Sequence, residues 1–289
     1  MKMKKSSTIK LFFFAFIAVF AISGCDKIEG PYGVSNASGG TDTVSGDTIL
    51  RKVLLEDYTG HTCQACPAAH AEAKRLHDIY GDRLVTLAIH AGFFAKPSSA
   101  PFTADFRNPI ATEIATDFGA INLPFPKGMV NRLYNPVSNS TRIFDYIDWE
   151  TSVDTILQRA ADAGLKITTS FNNSDSTMTA TIVTTLVNDF NYPVNLAVYF
   201  AEDSIISPQK NGTVNDLTYV HRHMLRGAFN GTYGEQLGTT VTAGQTFNKT
   251  YSTKLTPTSA VPAMVSIYAV LFNNTTKEVI QVEEKKLIP

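Results

Sequence analysis

Cysteine is scarce in this chain: three in 289 residues. Any thiol chemistry is therefore confined to very few positions. Positive charge is also short. With the first 24 residues set apart as a leader, 21 basic residues face 26 acidic ones, a formal −5, and no basic cluster remains. That excludes a nucleic-acid binder of the usual electrostatic kind. Beyond Leu11–Ile22 there is no apolar stretch approaching the ~20 residues of a membrane-spanning helix. The acids form no paired-carboxylate or Ser/His/Asp pattern above background, nothing calls for a cofactor, and the two halves show no internal repeat.

The opening residues read as an address. Lys2, Lys4, Lys5 and Lys10 make a basic start, and Leu11–Ile22 is an apolar run too short to span a bilayer but suited to a signal peptide. It ends in Ile22-Ser23-Gly24-Cys25, which resembles a bacterial lipobox. That resemblance implies cleavage before Cys25, acylation of its thiol and amine, and stable attachment to a lipid bilayer, since several acyl chains hold where one does not. Residues 1–24 are accordingly expected to be a lipoprotein signal peptide. Residues 25–47, rich in Gly, Ser, Thr and Asn, are expected to be a flexible tether.

Two kinds of periodicity follow. In residues 48–163, strand and helix patterns alternate: strands at Ile49–Asp57, Leu84–His90 and Lys127–Leu133, helices at Cys66–Tyr80, Ile110–Phe118 and Trp149–Ala163. Alternation of this kind predicts an α/β layer with a partly parallel sheet. An irregular insert, Ala91–Asn108, carries Phe93, Phe94, Phe102 and Phe106, which are expected to pack on the nearest core. In residues 164–289 the helical period disappears. Seven alternating segments, separated by turn-rich stretches such as Asn172–Asp175, predict an all-β, immunoglobulin-like sandwich. The expected boundary falls near Gly164.

With Cys25 assigned to lipid, Cys63 and Cys66 are the only thiols left, in Cys63-Gln64-Ala65-Cys66-Pro67. The motif follows an apolar strand and opens a helix. The partial positive charge of a helix N-terminus favours a thiolate at the first sulfur, and Pro67 lies where a missing N–H costs nothing. A redox-active pair is the leading reading, with a metal site and an inert structural disulfide as alternatives. His61 and His70 flank the motif and His221 and His223 lie farther on, so these four are the lesser candidates for a metal.

Residues Ile49–Ala163 resemble the thioredoxin fold. The resemblance implies a buried acid six residues before the first cysteine, which here is Asp57, and a cis-proline before the third core strand, which here is Pro126. It also implies roles: Cys63 as the exposed nucleophile, Cys66 as the resolving thiol, Asp57 as the proton acceptor, and a Cys63–Cys66 disulfide in the oxidised state. Gln64-Ala65 replaces the Gly-Pro of thioredoxin itself, so its redox potential does not carry over. Most of the chain is similar to the outer membrane protein twenty-eight family of lipoproteins. The similarity rests on Glu56–Gly60 leading into Cys63-x-x-Cys66-Pro67, on Pro126-x-Gly128-x-Val130-Asn131-Arg132, and on His221–Arg226.

Two functions of different class follow. One is an outer-membrane lipoprotein that exchanges thiols and disulfides with a protein substrate. The other is a non-enzymatic envelope or surface lipoprotein, a binding or accessory subunit of, for example, an outer-membrane importer. Both require the lipid anchor. Mass spectrometry of the native N-terminus is expected to show acylated Cys25; an unmodified terminus elsewhere removes the anchor.

Overall fold

The computed structural model describes residues 49–288. The leader, Cys25 and the 25–47 linker lie outside the described residues. The first strand, β1 (Val53–Thr59), is buried along its whole length, as is β2 (Leu84–His90). The two pair in parallel, Val53 opposite Leu84 through Thr59 opposite His90, joined by α1 (Cys66–Tyr80). Two short helices, α2 (Gly92–Ala95) and α3 (Pro109–Asp117), lead to β3 (Lys127–Val130). β3 runs antiparallel to β1, and α4 (Trp149–Leu157) closes this part. Gly128 on β3 is required for that closure, because a Cβ there would lie 2.5 Å from the Trp149 ring.

Strands dominate from there on: β4 (Ala163–Asn172), β5 (Thr177–Leu186), β6 (Val194–Glu202), the short β7 (Ile205–Ile206), β8 (Gln209–Asn211), β9 (Val214–Asp216) and β10 (Val220–His221). They continue with β11 (Met224–Ala228), β12 (Glu235–Gly238), β13 (Thr246–Lys254), β14 (Val265–Asn273) and β15 (Val279–Lys286). The change of periodicity near Gly164 is thus real, but it does not divide the fold. One sheet runs β15-β14-β6-β11-β2-β1-β3, with β12 also on β6, so strands from both sides of Gly164 share it. The seam is β11 against β2, in parallel at Met224 and Ala88, and the Ala88 amide donates to the His223 carbonyl at 2.8 Å. Residues 49–288 belong to one compact unit.

This corrects the expectation of a self-contained sandwich over 164–289. Among the described residues, β13-β5-β4 form a separate three-stranded outer sheet, and β10-β7 and β8-β9 form two-stranded ones. Alternation explains the layering. On β6, Leu196, Val198 and Phe200 face the outer sheet, meeting Ile167, Ala180 and Ile182, while Ala197, Tyr199 and Ala201 face the opposite side. There they join Leu54 and Tyr58 of β1, Leu87 of β2 and Ile114 of α3 in a core common to both halves. A sheet covered on both faces needs apolar residues at successive positions, which is why β6 and β14 are buried throughout. A third cluster lies on the α1 face of β1, with Val53, Leu55, Leu76, Trp149 and Val153.

One ion pair lies within the shared core. Glu56 and Arg132 are both fully buried, and the guanidinium donates to the two carboxylate oxygens at 2.9 and 2.7 Å. Rings of Phe118 and Phe272 flank it at 5.4 and 5.6 Å. Arg132 and its neighbour Asn131 sit in the left-handed region, at φ 56° and 48°. The turn they form knits β1 to β15: the Leu54 amide donates to the Asn131 side chain, and the Val279 amide to its carbonyl. Arg132→Met leaves Glu56 buried without its partner, and a loss of about 3–5 kcal/mol in urea denaturation is expected. The double change Glu56→Gln with Arg132→Met should recover much of it. An unchanged midpoint for the single variant would show that the pair contributes little.

Candidate functional site

Cys63 and Cys66 are joined as a disulfide, with Cα atoms 5.5 Å apart, at the point where the chain enters α1. The helix has no side-chain cap, and Pro67 occupies its first turn. Both cysteines are covered: Cys63 is 1 % exposed and Cys66 is 0 %. The expected exposed nucleophile is therefore not found in this conformation.

Several segments produce the burial. The Thr62 amide and hydroxyl both donate to the Phe94 carbonyl, at 3.1 and 3.0 Å. That approach depends on Gly60, whose Cβ would lie 2.3 Å from the Phe94 backbone. Phe125 joins Cys63 and Cys66 in the same buried cluster and packs against Tyr58 and Phe94. The Phe125–Pro126 peptide bond is cis, and since Tyr58 pairs with Lys127, Pro126 lies toward the end of β1 from which the cysteine loop departs. The third cover is the β8–β9 hairpin. Gln209, fully buried, donates to the Cys63 carbonyl at 2.9 Å, and the amides of Lys210 and Gly212 donate to the carbonyls of His61 and Gln64. Of the insert aromatics, Phe102 and Phe106 are buried and Phe94 is half-buried, while Phe93 is exposed.

Asp57 lies on the α1 side of β1, on the same face as Val53 and Leu55. Burial pushes its carboxyl up to about 8, so near neutral pH the acid is largely protonated. One carboxyl oxygen has no hydrogen-bond partner, and the other is 3.5 Å from His70 Nε2. His70 contacts the Thr59 hydroxyl at 2.8 Å and, through Nδ1, the Tyr219 hydroxyl at 2.6 Å. Burial, with a smaller contribution from His221, lowers His70 to about 3. Asp57 and His70 therefore meet near neutral pH as an uncharged pair rather than as a salt bridge.

Beside them lies a cavity of about 690 Å³, bounded by Asp57, His70, His90, Tyr219, His221 and His223 among others. His90 ends β2 and His221 ends β10; their rings sit 5.7 Å apart, and neither ring has a hydrogen-bonded nitrogen. Burial lowers His221 to about 4 and His90 well below its ordinary value, so both are neutral. His223 does not share a strand face with His221, because the chain turns there with φ 51°. His61 packs elsewhere, between Phe102 and Phe106, with Nε2 beside the Lys96 carbonyl. Among the described residues no group of three or more Cys, His, Asp and Glu is placed to hold a metal.

The structure thus brings Asp57 and His70 together with Tyr219 beside the cavity, buries Cys63 and Cys66 in the cluster that holds Tyr58, and leaves His61 apart from the histidines of the cavity. Sequence reasoning missed Gln209, Tyr219 and His90. His90 carried a faint signal, as a polar residue ending an apolar parallel strand, where such sheets hold their ligands. Gln209 and Tyr219 carried none, because they arrive from residues nearly 150 positions away.

The arrangement defines a class: a mixed α/β layer with a disulfide at a strand–helix junction, continuous with a largely β region. The family model described as Outer membrane protein Omp28 matches residues 118–289, and the chain belongs to that family. Among solved structures, HBP35 of Porphyromonas gingivalis is similar with a TM-score of 0.58 at 17 % identity, covering 84 % of this chain and 77 % of that one. A domain of the outer membrane lipoprotein Omp28 from Porphyromonas gingivalis is 22 % identical over 44 % of this chain and 88 % of its own, with a TM-score of 0.32. A protein from Agrobacterium tumefaciens reaches 0.49 at 12 % identity, covering 83 % of this chain and 96 % of its own. The likeness to HBP35 is one of fold. No curated protein matches the sequence. No helix among the described residues is long and apolar enough to cross a membrane, which says nothing of a β-barrel.

The buried acid generates a pH prediction. Its folded value of about 8 lies above the ordinary 3.8, so the unfolded chain releases the proton first as pH rises. Below both values the acid adds no pH dependence; between them it removes stability progressively as pH rises. Asp57→Asn lacks this group. In urea denaturation its stability relative to the parent should rise from about pH 4 to about pH 8, with a slope approaching 1.4 kcal/mol per pH unit. A difference that stays flat with pH would mean that Asp57 ionises normally.

Proposed function

We propose that this outer membrane protein is fastened to the bilayer through acylated Cys25, and that its α/β part is a thioredoxin-like unit exchanging thiols and disulfides with envelope proteins. The observation that carries the reading is the disulfide itself, set at the N-terminus of α1 with buried Asp57 on the helix-facing side of β1. In the reducing direction a partner thiolate attacks Cys63 Sγ, the Cys63–Cys66 bond breaks, and its electron pair leaves on Cys66 Sγ. Asp57 supplies the proton that neutralises the departing thiolate. In the oxidising direction Asp57, deprotonated, takes that proton back, Cys66 Sγ bonds to Cys63 Sγ, and the bond to the partner breaks with its electron pair leaving on the partner's sulfur. Cis-Pro126 borders the loop as a positioning residue.

One observation favours a second reading, the non-enzymatic lipoprotein: Cys63 is covered on every side, as a staple would be. The experiment that separates them is trapping in the native envelope with Cys66→Ser. Exchange predicts a mixed disulfide between Cys63 of that variant and a partner protein, together with equilibration of the unsubstituted protein's Cys63–Cys66 bridge against a dithiol buffer above about −300 mV. No trapped partner, with a bridge far more stable than that, leaves the pair as a staple.

A further inference from the structure

The covering hairpin says what kind of molecule the dithiol receives, given the exchange reading. β6 ends at Glu202 and β11 begins at Met224, and the chain between them leaves the sheet instead of turning directly back. Its base is the two-residue pairing of β7 with β10; its tip is the three-residue hairpin β8–β9, turning at Gly212, whose φ is 57°. The tip lies across the cysteine loop through main-chain acceptors. Lys210 N donates to the His61 carbonyl at 2.8 Å, Gly212 N to Gln64 at 2.9 Å, and Gln209 Nε2 to Cys63 at 2.9 Å and Gly60 at 3.3 Å.

The rest of the tip is loosely held. Residues 211–215 are exposed, Val214 and the adjacent Leu217 project apolar side chains into solvent, and of β8 and β9 only Gln209 is buried. A segment with few buried contacts, whose attachment is a handful of hydrogen bonds, opens locally at far lower cost than the core. Opening takes the hairpin's donors from the carbonyls of His61, Cys63 and Gln64, a ledge in which each then needs another, while the Gly60 carbonyl keeps the Cys63 amide.

We propose that the Gln209–Asp216 hairpin occupies the substrate position of the dithiol, and that the substrate is an extended, cysteine-bearing polypeptide that displaces it by donating its own amides to the carbonyls of His61, Cys63 and Gln64. A small thiol lacks those donors and must wait for spontaneous opening. A polypeptide replaces each hydrogen bond it breaks, so its thiolate reaches Cys63 Sγ without leaving the ledge unpaired. The chemical step is the one above: the partner's sulfur bonds to Cys63 Sγ, and the electron pair of the broken bridge goes to Cys66.

The test follows reduction of the oxidised, purified protein by three probes at equal thiolate concentration. They are dithiothreitol, a single-cysteine peptide of about ten residues, and the same peptide with alternate backbone amides N-methylated. The unmodified peptide should react roughly tenfold faster than its methylated form, the effect of one or two hydrogen bonds. Gln209→Ala and Lys210→Pro, each loosening the hairpin, should raise the dithiothreitol rate roughly tenfold; should the proline variant misfold, the alanine variant carries the comparison alone. Equal rates for the two peptides, or a dithiothreitol rate unmoved by the loosening variants, overturn the assignment while leaving exchange intact. A bridge that no probe opens until the protein is unfolded in urea removes the exchange reading, and this inference with it.

Discussion

The buried pair of Glu56 and Arg132 is the constraint on which the architecture turns. A charge in the interior is tolerated only when paired and hydrogen-bonded, so these side chains must meet wherever the chain places them. Glu56 sits mid-strand on β1, Arg132 in the turn after β3, and the rings beside the guanidinium come from the end of α3 and from β14. Four segments from both halves are thereby held around one point. The Asn131 turn repeats the connection in backbone hydrogen bonds to β1 and β15. The α/β part and the later strands therefore form a continuous sheet with a common core.

That continuity shapes the site. Because β11 lies beside β2, the chain leaving β6 passes over the carboxyl ends of the parallel strands before it returns. The path brings Tyr219 against His70 and Gln209 against Cys63. Within the α/β part, Phe94 and Phe125 already pack about the cysteine loop. The β region reaches back to complete that cover, and the same segment walls the cavity in which His70, His90 and His221 stay neutral.

Legibility differed by element, for identifiable reasons. Strands β1, β2, β5, β6, β13 and β14 and helix α1 could be read from apolar runs and alternation, which are local signals. Residues 218–226 carry the apolar content of a single strand but form two short ones, broken at His223, whose left-handed backbone no pattern announces. The helix expected to reach Ala163 stops at Leu157, and Ala163 already pairs with Leu186 in the outer sheet. Pro126-x-Gly128 and Asn131-Arg132 form a motif in the sequence, yet the reasons for Gly128 and Arg132 are tertiary: room for the Trp149 ring and a partner for Glu56.

Sequence alone determined that a cysteine pair opens a helix after a buried strand, that an acid stands six residues upstream, and that the chain changes from α/β to β periodicity near Gly164. Each follows from residues close together in the chain, where spacing and propensity suffice. Only the tertiary structure decided which strands share a sheet and that the first sulfur is covered. It also decided that Asp57 meets His70 uncharged. Those depend on contacts between residues up to about 150 positions apart and on the desolvation that such contacts impose, and desolvation is a property of the packed interior that no local pattern contains.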